Sequence, residues 1–118
     1  MANFVLLLHT PADRPRVTSA GPEDYTRITR EYMDWADRVR ADGHMKGGSK
    51  LMDEPGKILR SAGSRIALTD GPYAESKEIV GGFFMISATD YAEACRIAES
   101  CPHIKYGSYI EVRQVQEL

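Results

Sequence analysis

Cysteine is nearly absent from this chain: Cys95 and Cys101 are the only two in 118 residues. Two are too few for the disulfide framework of a small secreted domain. Both fall in a predicted helix, where a six-residue offset turns them roughly 240° apart around the axis. They are expected to be reduced thiols in a cytoplasmic protein. Long hydrophobic runs are missing as well. The longest, Phe4 to Leu8, has five residues, against the roughly 20 that a membrane helix needs. It follows Met1-Ala2-Asn3, without the basic segment and cleavage site of a signal peptide. Nor is there an excess of one charge: 15 Lys and Arg face 17 Asp and Glu, for a net charge of −2. A dedicated nucleic-acid binder carries a basic stripe, and none is visible. Nucleic acid and membrane are therefore excluded as expected partners.

What is present suits one soluble domain over residues 1–118. Hydrophobic residues make up 42% of the chain and charged residues 27%, close to the globular average. This length builds a core without metal or disulfide staples.

Asn3 to His9 reads as a strand that is apolar on both faces, Phe4, Leu6 and Leu8 on one and Val5 and Leu7 on the other. Thr10 to Gly21, with two prolines, is a long loop and a candidate lid. Pro22-Glu23-Asp24 then opens a helix, placing acids at its positive end. Its amphipathic stripe is Tyr25, Ile28, Tyr32, Trp35, Ala36 and Val39, and Gly43 stops it. A weak strand over His44 to Leu51 is interrupted by Gly47-Gly48-Ser49. Lys57 to Arg60 and Ser64 to Thr69 form a predicted hairpin turning at Ser61-Ala62-Gly63. Ile79 to Ala88 is another strand that is apolar on both faces. Asp90 caps a second helix, with Glu93 three residues on, and Pro102 ends it. Ser108 to Val115 closes the chain as a strand.

The order β, α, β, hairpin, β, α, β is the split βαβ, ferredoxin-like arrangement of the α+β class, with an inserted β-hairpin. Two helices cover one face of its sheet. The doubly apolar strands require a cover for the other, and a second copy packed sheet to sheet about a two-fold axis is the expected one. The working unit is thus predicted to be a homodimer.

The most unusual stretch is Asp70-Gly71-Pro72-Tyr73-Ala74-Glu75-Ser76-Lys77-Glu78, followed by Gly81-Gly82-Phe83-Phe84. As structure, it is a rigid turn bearing solvated charges. As a site, it offers an acid–base carboxylate in Asp70, an aromatic hydroxyl in Tyr73 and a cation in Lys77. This stretch resembles the signature of the DGPF family, within the YCII-related superfamily; Tyr73 stands where the namesake motif has phenylalanine. The likeness continues through Asp90 to Ala98, Cys101-Pro102, Tyr106-Gly107-Ser108 and Glu111-Val112-Arg113, and more weakly back to Phe4 to Leu8 and Gly43 to Leu51.

The resemblance implies a ferredoxin-like subunit of a dimeric α+β barrel, with a cleft in each subunit. YCII relatives include proteins proposed to be enzymes with a His–Asp pair, and one that dechlorinates a hydroxyquinol-type aromatic. Genes for DGPF proteins often neighbour extracytoplasmic-function sigma factors, which implies a regulatory role for some. The superfamily histidine belongs in the first helix, where this chain has Tyr32. Where relatives favour Asp-Pro after the second helix, it has Cys101-Pro102. The pair is therefore absent as such, and Asp70 is the best remaining carboxylate.

Among the histidines, His9 closes the first strand and is a second catalytic candidate. His44 and His103 read first as a strand-edge and a helix-end residue. Tyr32 and Trp35 belong to a stripe that is ordinarily core, yet either is a candidate to line a pocket. Arg14, in the long loop, is a candidate for an anionic ligand group. No His, Cys or carboxylate pair has compact metal spacing, and no Walker loop, dinucleotide fingerprint or nucleophile elbow occurs. No cofactor is expected. Two readings remain. One is a pocket for a small aromatic or hydroxylated compound, with or without acid–base catalysis. The other is a non-catalytic regulatory or interaction module, linked to a sigma factor.

Overall fold

A computed structural model describes residues 1–11, 22–52, 54, 56–71 and 78–118. The elements run β1 (Ala2–Pro11), α1 (Pro22–Ala41), β2 (Met45–Lys50), β3 (Lys57–Ala62), β4 (Arg65–Asp70), β5 (Glu78–Ala88), α2 (Tyr91–Glu99), α3 (His103–Tyr106) and β6 (Tyr109–Gln114). Four strands form one sheet in the order β2-β5-β1-β6, and every neighbouring pair is antiparallel. This is an α+β architecture compatible with the ferredoxin-like arrangement, the first and last sheet strands of each βαβ unit being separated by a third.

Side-chain alternation decides what each strand buries. Phe4 stands opposite Ile86, and Leu6 opposite Phe84 and Val112. These face the helices, where Trp35, Phe4, Leu6 and Ile86 are fully buried. From α1 come Ile28, Trp35 and Val39, and from α2 Ala94 and Ala98, with Cys101 just beyond it. The opposite parity puts Val5 against Met85 and Leu7 against Phe83. All four are half-buried on the face turned from the helices.

The helix ends follow local chemistry. Gly43 takes φ +83, and its N–H bonds to the Arg40 carbonyl while that of His44 reaches Val39. This pair of bonds is a Schellman stop that a side chain would strain. At α2, Asp90 accepts from the Glu93 N–H at 2.9 Å, and Glu93 returns a carboxylate to the Thr89 N–H at 2.9 Å.

Two details differ from the sequence reading. The chain does not run straight from Pro102 into the last strand, since α3 makes one helical turn first. β3 continues to Ala62 and β4 begins at Arg65, so the turn falls at Gly63-Ser64. They pair with each other as a separate two-stranded sheet. Among the described residues, no helix is long and apolar enough to cross a membrane.

Candidate functional site

Between α1, α3 and the sheet lies a cavity of about 420 Å³. Tyr25 and Tyr32 reach it from α1, Phe84 from β5, and His103 and Tyr106 from α3. Helical spacing explains the first pair, because residues seven apart share a face. Gly48, Gly81 and Gly82 leave bare backbone on its sheet side, and Lys50 is the cation that lines it among the described residues. Phe84 also packs edge-on against Trp35, ring centroids 5.0 Å apart. One aromatic ring thus belongs to both the core and the cavity wall.

One hydrogen-bonded chain runs along this wall. His103 Nε2 lies 2.7 Å from the His9 carbonyl oxygen. A carbonyl only accepts, so Nε2 carries a proton, and in the neutral ring Nδ1 is the acceptor. Tyr32 supplies the donor to Nδ1, its hydroxyl 3.0 Å away. The order is Tyr32 O–H to His103, then His103 N–H to the backbone of β1. The His9 carbonyl also takes the Ser108 N–H at 3.0 Å, so one oxygen anchors both the cavity imidazole and the entry to β6.

Burial, followed by the nearby Cys101, Tyr106 and Glu31 groups, holds the Tyr32 phenol far above its ordinary value. It is a proton donor at neutral pH. The Cys101 thiol, also buried, is pushed up to about 11. His103 itself is buried, and Gly107 packs against its ring with no space for a side chain. Beside the cavity, Arg27 donates to the Tyr106 hydroxyl at 3.1 Å. The Tyr106 hydroxyl, with Lys105 and Arg27, holds the Glu31 carboxyl below its usual range.

The structure separates the residues singled out from sequence. Tyr32 lines the cavity. Trp35 is core: it is 1% exposed, and its indole N–H donates to Ser100 Oγ at 2.9 Å. His9 contributes its carbonyl, while its imidazole lies 3.0 Å from Glu111 and stacks on Tyr109 with centroids 4.4 Å apart. Strand alternation explains the split, since Leu8 and Thr10 face the cavity and His9 faces away. Asp70 lies on β4, where an exposed carboxylate pairs with Lys57 at 2.6 Å; it is not among the cavity-lining residues. Tyr73, Lys77 and Arg14 lie outside the described residues. His44 donates from Nδ1 to the Ser87 carbonyl at 2.7 Å, joining the start of β2 to β5. Among the described residues, no three His, Cys, Asp or Glu gather as a metal-binding group.

His103 and Tyr106 are site residues that spacing alone did not single out. The available signal was positional, because His103 directly follows the Cys101-Pro102 pair beyond α2 and Tyr106 lies one helical turn further on. That segment meets Tyr32 through the hydrogen bond between the Tyr32 hydroxyl and His103 Nδ1. Comparison with curated proteins returns no match. The model of the YCII-related domain matches residues 4–118. With a sheet, a cavity and a match that all extend across the same chain, the protein belongs to the YCII-related family.

Proposed function

We propose that the cavity binds a small, flat, hydroxylated aromatic compound and that Tyr32 and His103 exchange a proton with it. The observation that carries this reading is the Tyr32–His103–His9 hydrogen-bond chain on an aromatic wall. A volume of about 420 Å³ suits a compound of one or two rings, at the lower end of small-molecule sites. Aromatic side chains offer faces and edges to such rings. A ligand hydroxyl meeting the Tyr32 oxygen passes its proton there as Tyr32 passes its own to His103 Nδ1. The imidazolium keeps its Nε2–H on the His9 carbonyl, and the reverse step returns the proton. Neither group has to exist as a free buried anion. No step requires a cofactor. Asp70 stands outside this relay.

We also place the chain in the DGPF branch, on its Asp70-Gly71-Pro72 and Gly81-Gly82-Phe83 segments, and read it as a cytoplasmic homodimer closed as an α+β barrel. The apolar pairs Val5–Met85 and Leu7–Phe83, which the helices leave uncovered, support the dimer.

A thermal-shift screen of phenols, quinols and small aromatic acids tests the ligand reading. A binder should stabilise the wild type and Asp70→Asn equally. Tyr32→Phe should keep part of the stabilisation and lose turnover of any compound that the wild type converts. Unaltered turnover in Tyr32→Phe removes the proton relay. If no compound stabilises the protein, the competing reading takes its place: a non-catalytic module acting through a sigma factor.

A further inference from the structure

We propose that the β3–β4 hairpin is an arm that docks on a second copy of this chain. The inference rests on the homodimer reading above and assigns it a contact that sheet-to-sheet packing does not require. Within the arm, Leu59 stands directly opposite Leu68, and Ser61 opposite Ile66. Residues two apart share a face, so Leu59, Leu68 and Ile66 form one apolar stripe. They are 66%, 63% and 70% exposed. Among the described residues, β3 and β4 pack chiefly on each other. A lone two-stranded hairpin is marginal in water, and an uncovered apolar strand pair is a site of association.

The shape agrees. The radius of gyration is 16.1 Å, whereas a compact chain of this length is expected near 13.5 Å. Charge points to the occupant. Lys57, Arg60 and Arg65 against Asp70 make the arm net +2. The remainder of the chain, which totals −2, therefore carries −4. A basic arm and an acidic remainder attract between copies. The chain has a second uncovered apolar surface, around Val5 and Leu7. One self-complementary association about a two-fold axis removes both surfaces from water in both copies.

Sedimentation of the full chain, with amide exchange, tests the arm. The wild type should be a dimer at micromolar concentration, and exchange over residues 57–70 should slow as concentration rises. Leu59→Ser with Leu68→Ser, at exposed positions, should weaken dimerisation by about tenfold or more. Arg60→Glu with Arg65→Glu should weaken it most at low salt, and serves if the first variant fails to fold. An unchanged dimer constant in the folded variants, with arm exchange indifferent to concentration, overturns the arm while the homodimer stands. A wild-type monomer at every concentration overturns both. Dimerisation lost in the arm variants, with the cavity's ligand response retained, supports the arm.

Discussion

A Cβ built on Gly107 would lie 2.2 Å from His103 Cε1 and Nε2, well inside contact distance. The φ of this glycine, −107°, suits any residue, so the constraint is space and not backbone freedom. Gly107→Ala is expected to destabilise the fold by about 1–3 kcal/mol, the usual cost of overpacking, as read by urea unfolding. It should also weaken ligand stabilisation by displacing the imidazole from Tyr32. Cys101 gives a pH test. Its thiol titrates near 9 when exposed and near 11 in the fold. The folded state therefore holds its proton more tightly, and stability is complete below pH 9 and falls as pH rises toward 11. The loss is at most about 1.4 kcal/mol per pH unit. Tyr32 adds a loss of the same sign at higher pH. Melting curves of Cys101→Ala should be flatter than wild type between pH 9 and 10. At this scale the sequence was partly legible. Tyr32 is found by helical spacing, but its partner is 71 residues away, and a distance of that kind has no periodicity to read.

The second helix depends on its first turn. Asp90→Ala removes the acceptor of the Glu93 N–H and should cost about 1 kcal/mol, with an ordinary range of 0.5–2. Asp90→Asn, which keeps an acceptor, should recover most of this in the same denaturation series. Elements with caps and repeating apolar positions were readable from the sequence: β1, α1, β5 and α2 are where spacing put them. α3 was not, because a helix of four residues is too short to show a period. The turn of the hairpin also shifted, since strand pairing extends as far as backbone geometry allows and not only as far as branched residues run. Trp35 follows the same logic. Its stripe predicted burial, and the hydrogen bond to Ser100 lets the indole N–H be buried with it.

For the molecule as a whole, the readings of a homodimer and of its arm make folding and association one equilibrium. The melting temperature should therefore rise with protein concentration, as it does whenever the native state binds a second copy. Differential scanning at concentrations from low to high micromolar checks this, and a constant melting temperature counts against the dimer. The sequence showed which strands carry apolar residues on both faces, but an arm held away from the body is a property of the assembled shape. No local pattern distinguishes it from a hairpin packed flat.

The shared acceptor at His9 has one further consequence. Because its carbonyl takes both the His103 imidazole and the Ser108 amide, the two donors compete for the electron density of one oxygen. A change of charge on the imidazole alters the polarisation of that carbonyl and so the magnetic environment of the Ser108 proton. Ser108 is then a built-in reporter. In an amide NMR spectrum its resonance should move when the cavity fills, and it should stop responding in Tyr32→Phe.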